Sequence, residues 1–201
     1  MHAREAADPA HGSATVAAAE AVTPTTAADA AYTTHAGVVC CVTMADCLPV
    51  LLADPQGRVV GVAHAGWRGL AAGVVQNTVR AMRAAIGEPH AALHAWLGPA
   101  IGSEAFVVGA DVQAAMRAAL PGADAAFVAH GGAKFRADLF ALCKMALLAV
   151  GVTEVSGGGV STAADPRRFY SHRRDRISGR HAALIWRATE VDPARVAVGR
   201  D

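Results

Sequence analysis

The stretch Met44–Leu70, M-A-D-C-L-P-V-L-L-A-D-P-Q-G-R-V-V-G-V-A-H-A-G-W-R-G-L, decides the fold of this chain. It contains two short apolar runs, Val50–Ala53 and Val59–Ala63, separated by a D-P-Q-G sequence, which predicts two buried strands joined by a turn. A thiol, Cys47, and an imidazole, His64, each stand at the end of one run. Donor side chains placed at strand ends are typical of a metal site or a nucleophile site.

The composition predicts one globular domain with a sizeable core. The chain has 201 residues and is 53% hydrophobic, which is sufficient for a single buried core. The net charge of +1 gives no basic field for nucleic acid. No apolar run reaches the roughly 18 residues that a membrane span needs, and no secretion signal is recognisable. We therefore expect neither nucleic acid nor a membrane as a partner. We also expect the protein to be a cytoplasmic monomer.

The four cysteines do not have the spacing of a disulfide framework. They are Cys40, Cys41, Cys47 and Cys143, and the first two are adjacent. Free thiols in a reducing compartment fit this pattern better. Cys40, Cys41 and Cys143 lie in apolar segments and are predicted to be core residues.

Further strands and helices follow from hydrophobic periodicity. Strands are predicted at Val38–Val42, Leu93–Leu97 and Ala182–Trp186, and helices at Leu70–Ile86, Asp111–Leu120 and Phe135–Val150. The strands are short and their connections vary, which favours a mixed α/β layer fold over a regular doubly wound sheet. We expect one domain over residues 1–187, followed by a polar tail over residues 188–201.

Three interpretations of Cys47 and His64 stay open on the residues alone. Both could bind a catalytic zinc, with His11 or His35 as the third ligand. Alternatively, Cys47 could be the nucleophile of a hydrolase with His64 as its base, although Asp46 adjoins the thiol and is poorly placed to orient His64. The pair could also be structural. A blue multi-copper centre is disfavoured because no His-x-His pair occurs.

Arginines form two candidate anion sites. Arg68 follows the His64 strand at the start of the predicted helix, where a guanidinium group and a helix N-terminus would favour phosphate. The segment from Asp165 to Arg180 is crowded with arginines, including Arg173 and Arg174. This segment is either a solvated basic loop or an anion-binding flap over the pocket.

Several motifs resemble those of the YfiH-type family, whose members are called polyphenol oxidase or laccase-domain proteins and also purine nucleoside phosphorylases. The motifs are M-A-D-C-L-P-V-L-L-A-D, G-V-A-H-A-G-W-R-G-L, L-G-P-A-I-G, F-R-A-D-L and F-Y-S-H-R-R-D-R-I-S-G-R. They run in the family's order from about His11 to Trp186. The resemblance implies a layered α/β/β/α sandwich of mixed sheets with outer helices.

The resemblance also implies a single zinc bound by two histidines and a cysteine. Two positions match Cys47 and His64. The third, in a Val-His-Gly step of the family, matches Ala-His11-Gly here, and His35 is the weaker candidate. Copper is the other metal attributed to such proteins.

The activity implied by the resemblance is phosphorolysis of adenosine, inosine and methylthioadenosine, with adenosine deamination and polyphenol oxidation beside it. On this interpretation Cys47, His64 and Arg68 are the catalytic residues. Arg68, Arg173 and Arg174 are the substrate-binding residues, because guanidinium groups could hold phosphate against the ribose carbon. The alternatives are a Cys-His hydrolase, for example one that edits peptidoglycan precursors, and a non-catalytic metal-binding remnant.

Two departures from the family pattern qualify these expectations. Family members usually carry a substantial segment before the Val-His-Gly step, whereas this sequence starts close to His11. We therefore expect a strand of the sandwich and part of the pocket to be missing. A Cys-Thr step of the family is replaced by Ser161-Thr162, which removes a thiol.

Overall fold

The computed structural model describes residues 15–17 and 28–188. The strands are β1 (Thr15–Ala17), β2 (Ala30–Thr33), β3 (Val39–Met44), β4 (Leu48–Ala53), β5 (Val60–Ala65), β6 (His94–Leu97), β7 (Val107–Gly109), β8 (Phe127–Ala129), β9 (Lys134–Ala137), β10 (Glu154–Gly157) and β11 (His181–Trp186). The helices are α1 (Trp67–Ala71), α2 (Val74–Ala85), α3 (Ala110–Ala119), α4 (Leu139–Leu148) and α5 (His172–Asp175). The mixed α+β class predicted from the sequence is confirmed.

A six-stranded mixed sheet forms the centre of the molecule, in the order β1-β2-β5-β4-β6-β10. Its four central strands are antiparallel neighbours, because the predicted D-P-Q-G turn joins β4 to β5 and β5 also pairs with β2. The two outermost strands, β1 and β10, pair in parallel with β2 and β6. The two apolar runs of the deciding stretch therefore lie at the middle of the sheet.

One face of this sheet packs against helices α2 and α4 and forms the main core. Leu48, Val50 and Leu52 alternate along β4 on this face, and all three are fully buried. Gly61 on β5 allows α2 to approach closely, because a Cβ atom there would lie 2.7 Å from Sδ of Met82. Burial of this apolar face supplies the main driving force for folding.

The other face packs against a two-stranded antiparallel sheet made of β3 and β11. Cys40 and Val62 are the buried contacts between the two sheets. The outer face of the small sheet carries large exposed apolar side chains, with Val39 40%, Leu184 48% and Trp186 56% exposed. The candidate site lies at one end of the gap between the two sheets.

Two predicted helices differ from the structure. The helix expected at Leu70–Ile86 is two helices, α1 and α2, separated at Gly73, whose φ of 83° lies in the left-handed region that favours glycine. The helix expected at Phe135–Val150 begins only at Leu139, because Phe135 belongs to β9 of a three-stranded sheet, β7-β9-β8. The Asp138 side chain caps this helix by accepting from Ala141 N at 2.9 Å.

Two of the three thiols predicted to be core residues are buried, but the prediction is wrong for Cys41, which is only partly buried and pairs with the exposed Leu184 on the outer face of the small sheet. Cys40 and Cys143 are buried, and burial raises the pKa of their thiols to about 11 and about 12. Over residues 15–17 and 28–188, no helix has the length and hydrophobicity needed to span a membrane. The division into a domain over residues 1–187 and a tail over residues 188–201 stays a prediction.

Candidate metal and anion site

The β4–β5 hairpin brings Cys47 and His64 to the same face of the central sheet. Leu48 pairs with Ala65 and Pro49 pairs with His64, so Cys47 lies opposite Gly66, one step beyond the last paired residues. Since side chains alternate between faces, Cys47 and His64 both face the small β3–β11 sheet. They are diagonal neighbours, for which Cα atoms are about 7–8 Å apart and Cβ atoms somewhat closer.

Gly66 provides the space for the thiol. A Cβ atom at Gly66 would lie 2.9 Å from Sγ of Cys47, closer than real Cβ contacts allow. The φ of Gly66 is −71°, so the requirement is for room and not for an unusual backbone conformation. The sulfur atom of Cys47 therefore rests directly on the backbone that leads from β5 into α1.

Asp46 connects the Cys47 turn to two distant parts of the chain. Its residue is only 8% exposed, and its φ of 83° is rare for a residue other than glycine. Asp46 Oδ1 accepts from Oγ1 of Thr162 at 2.7 Å, and Oδ2 accepts from the backbone N of Arg173 at 2.6 Å. Its carbonyl accepts from Ile101 N at 2.8 Å. The sequence showed Asp46 beside Cys47 but gave no sign of these contacts.

The charge environment of Cys47 is mixed. Burial and the charge of Asp46 raise the pKa of the Cys47 thiol to about 11, while Arg180 and Arg68 act in the opposite direction. A thiol with this pKa is protonated near neutral pH unless a metal binds it. Cysteine nucleophiles need a lowered pKa, so the environment does not favour the Cys-His hydrolase.

Arg173 and Arg174 hold the loop that precedes β11 in place. The Arg173 guanidinium donates to the carbonyls of Ala105 and Val107 at 2.8 and 3.1 Å. That of Arg174 donates to the carbonyl of Thr162 at 3.0 Å and to that of Phe169 at 3.0 Å. It also pairs with Asp175 at 2.7 Å. These contacts give both side chains a structural role, and their assignment to substrate binding stays a prediction.

Arg68 and Arg180 differ from the two loop arginines. Both are exposed, and the Arg68 guanidinium lies 4.5 Å from the ring centroid of Trp67. Within the part of the chain that the structure describes, neither guanidinium has a carboxylate or carbonyl partner. Arg180 was visible in the sequence only as one of many arginines between Asp165 and Arg180.

Of the two candidates for the third metal ligand, only His35 lies within the described residues. His11 lies outside the described residues. His35 is exposed in the turn after β2, and β2 pairs with β5 so that Thr33 lies opposite Val60 and Ala30 opposite Ala63. His35 is therefore at the end of the sheet remote from His64. No cluster of three His, Cys, Asp or Glu side chains suited to a metal occurs in residues 15–17 and 28–188.

The described residues nevertheless fit two ligands of a metal site. Thiolate sulfur and imidazole nitrogen are ligands that zinc prefers, and they also suit copper. His64 is 7% exposed and sits at the end of a rigid strand, which fixes the direction of its ring. Its backbone N donates to the carbonyl of Asp29 at 2.8 Å.

A sequence profile for the family described as multi-copper polyphenol oxidoreductase laccase matches residues 3–188. The chain belongs to this laccase-like YfiH family. It is 49% identical over 170 residues to a protein of Xylella fastidiosa named purine nucleoside phosphorylase, covering 84% of this chain and 63% of that protein. It is 46% identical over 159 residues to purine nucleoside phosphorylase YfiH of Escherichia coli, covering 79% of this chain and 63% of that one.

Solved structures agree with this assignment. A crystal structure from Neisseria meningitidis has a TM-score of 0.82 and 47% identity, covering 89% of this chain and 72% of that chain. A YfiH protein of Bacillus licheniformis has a TM-score of 0.83 and 29% identity, covering 90% of this chain and 73% of that one. The chain thus spans less than two thirds of the two named phosphorylases, at 63% of each.

Proposed function

We propose that this chain is a zinc-dependent purine nucleoside phosphorylase that acts on adenosine, inosine and methylthioadenosine. The observation that carries the proposal is the placement of Cys47 and His64 side by side on one sheet face. This placement occurs in a chain 46% and 49% identical to two proteins named purine nucleoside phosphorylase. We further propose that the protein is a cytoplasmic monomer.

Cys47, His64 and His11 are the proposed zinc ligands. Support for His11 comes from β1, because Thr15 pairs with Ala30, which in turn pairs with Ala63 beside His64. Thr15 is therefore at the His64 end of the sheet, and four residues can span about 13 Å. The position of Thr15 therefore supports His11 as the proposed third ligand, whereas His35 is at the other end of the sheet.

In phosphorolysis, an oxygen of phosphate bonds to the anomeric carbon of ribose while the bond from that carbon to the base nitrogen breaks. The electron pair leaves with the base, which gains a proton, and the sugar is released as its 1-phosphate. Arg68 binds the phosphate and offsets its charge. When bound, zinc supplies a Lewis acid beside Cys47 and His64.

Side activities of the same site are part of the proposal. A Lewis acid next to a bound purine also suits adenosine deamination. Copper is compatible with the sulfur and nitrogen donors, and the family description names a copper polyphenol oxidoreductase. Zinc is the metal we propose for the phosphorylase reaction.

The competing functions predict different results. A Cys-His hydrolase does not need a metal, but it does need a reactive thiolate at Cys47. The raised pKa of this thiol argues against such a thiolate. Editing of peptidoglycan precursors would be one activity of such a hydrolase. A metal-binding remnant would hold zinc without turning over nucleosides.

Metal analysis of purified protein is the first test. We expect one zinc per chain in the wild type, loss of zinc in His11→Ala and normal zinc in His35→Ala, which is the matched control. A wild type without metal would overturn the zinc site. Zinc retained by His11→Ala would overturn the third ligand.

Release of free base from adenosine, with and without phosphate, is the second test. We expect release that depends on phosphate and is lost in His11→Ala. A zinc-loaded protein that releases no base would identify the metal-binding remnant instead. Base release that is independent of phosphate would indicate a hydrolase.

A further inference from the structure

Contacts within the fold divide the arginines into two groups. Most guanidinium groups in the described residues are bound to carboxylates or to backbone carbonyls. Arg58, Arg117, Arg168 and Arg174 pair with carboxylates, and Arg83, Arg173 and Arg187 donate to carbonyls. The second group, which includes Arg68 and Arg180, has no carboxylate or backbone carbonyl bound to its guanidinium groups within the described residues.

Arg180 is placed beside the site by the register of the small sheet. His181 pairs with Met44 in the antiparallel β3–β11 ladder, so Arg180 is level with Ala45, two residues before Cys47. Arg68 reaches the same place from the other side, since it follows Gly66, on which the sulfur of Cys47 rests. Both guanidinium charges also act on the Cys47 thiol, which supports this placement.

We propose that Arg180 and Arg68 together form the anion-binding pair of the site, and that the anion bound is inorganic phosphate. The naming of phosphate as co-substrate rests on the proposed function, whereas the binding of an oxyanion rests on the two arginines alone. Two guanidinium groups can each donate two parallel hydrogen bonds to a phosphate, which a single arginine or a lysine does not match.

Asp46 is the carboxylate that could compete for these guanidinium groups. Both of its oxygens already accept hydrogen bonds, from Thr162 and from the backbone of Arg173. Its charge therefore serves to hold the turn and the loop together, and Arg68 and Arg180 stay available to an anion. Arg173 and Arg174, by contrast, donate to backbone carbonyls, and Arg174 also pairs with Asp175.

Calorimetric titration of the zinc-loaded full chain with inorganic phosphate tests whether Arg68 and Arg180 bind the anion. We expect Arg180→Ala to weaken phosphate binding by about tenfold or more, because charge-assisted hydrogen bonds are lost. Arg180→Lys keeps the charge but lacks the planar guanidinium group, so its affinity for phosphate should lie between those of the wild type and Arg180→Ala. The matched control is Arg167→Ala, an exposed arginine of the same loop whose removal changes the net charge equally.

The outcomes separate this inference from the proposed function. Phosphate binding that is equal in wild type and Arg180→Ala, with both folded by circular dichroism, would overturn the pair. An equal loss in Arg167→Ala would also overturn it, because the effect would then be one of net charge. Weakened binding in Arg180→Ala without base release in any variant would support the pair and contradict the phosphorylase. If base is released and Arg180→Ala leaves the KM for phosphate unchanged, the phosphorylase would be supported and the arginine pair contradicted.

Discussion

The two faces of the β4–β5 hairpin have different compositions and different tasks. The face toward the helices carries Leu48, Val50, Leu52 and Ala63, all fully buried in one large apolar core. The face toward the small sheet carries Val62 and Leu51 in a small cluster, and then Cys47 and His64. The same two strands thus provide stability on one side and candidate ligands on the other.

Because side chains alternate between the two faces of a strand, one face can stabilise the fold while the other carries reactive groups. Adjacent residues on one strand point to opposite sides, so a polar site can be added without interrupting the main core. The tightly packed face then fixes the positions of the candidate ligands. Substitutions on the two faces test this separation, because they should lower the free energy of unfolding by very different amounts.

The largest difference should appear between two adjacent leucines. Leu52→Ala creates a cavity in the helix-facing core and should lower the free energy of unfolding by about 2–5 kcal/mol. Leu51→Ala, on the less buried face, should cost clearly less. Denaturant unfolding of both variants measures the difference, and equal losses would contradict the separation of the faces.

Asp46→Ala should have the next largest effect. It leaves the buried Thr162 hydroxyl without an acceptor, which costs about 1–3 kcal/mol, whereas the part-buried Arg173 amide can donate to water instead. Asp46→Gly should lose about 1 kcal/mol less than Asp46→Ala, because its φ of 83° suits glycine. An alanine variant as stable as the glycine variant would show that the backbone of this turn is not strained.

Cys47→Ala should separate metal binding from stability. We expect complete loss of zinc, while the free energy of unfolding in the presence of a chelator falls by only about 1 kcal/mol. Metal analysis and denaturant unfolding of the same sample measure both quantities. The control is Cys41→Ala, a thiol of the small sheet away from the site, which should retain zinc.

The ion pair between Asp54 and Arg58, at the far end of the hairpin, should make the smallest contribution to the free energy of unfolding, and acid should remove it. Hydrogen bonds from Arg58, with Nε 2.8 Å from Oδ2, lower the pKa of Asp54 from its ordinary value of 3.8. Because the folded-state pKa is depressed, this stabilisation is present above pH 3.8 and is lost as the pH falls through the folded-state value.

A pH series of thermal unfolding for wild type and Asp54→Asn measures this contribution. The two curves should differ by a constant amount above about pH 5 and converge below pH 4. A gap that stays constant in acid would show that the carboxylate charge is not the cause.

Local pattern was sufficient for five of the eight strands in the central and small sheets. It missed β1, β2 and β10 of the central sheet, which have only three or four residues each. The apolar runs at Val50–Ala53 and Val59–Ala63 lie within, or within one residue of, β4 and β5, because two-residue periodicity and a turn sequence are short-range signals. The same signals located β3, β6 and β11 to within two residues. The three-stranded sheet was missed because its strands have only three or four residues and resemble loops or helix ends.

Long-range contacts were beyond the reach of local pattern. Asp46 joins Thr162 and Arg173, which are 116 and 127 positions away along the chain. Residue type alone also cannot show which arginines the fold occupies, so Arg180 was not distinguished from Arg174. Cys47 and His64 could be selected as candidates because donors stood at strand ends within one short stretch, and the β4–β5 hairpin brings them to one face of the sheet.

The room left by Gly66 also bears on how metal sites are lost in evolution. A single base change to an alanine codon would force the sulfur of Cys47 away from its place, although every proposed ligand residue would still be present. A lineage could therefore lose the proposed metal site without any change at Cys47 or His64. Surveys that classify relatives by their ligands alone would count such proteins as metal binders, and the residue at the position of Gly66 should be examined with them.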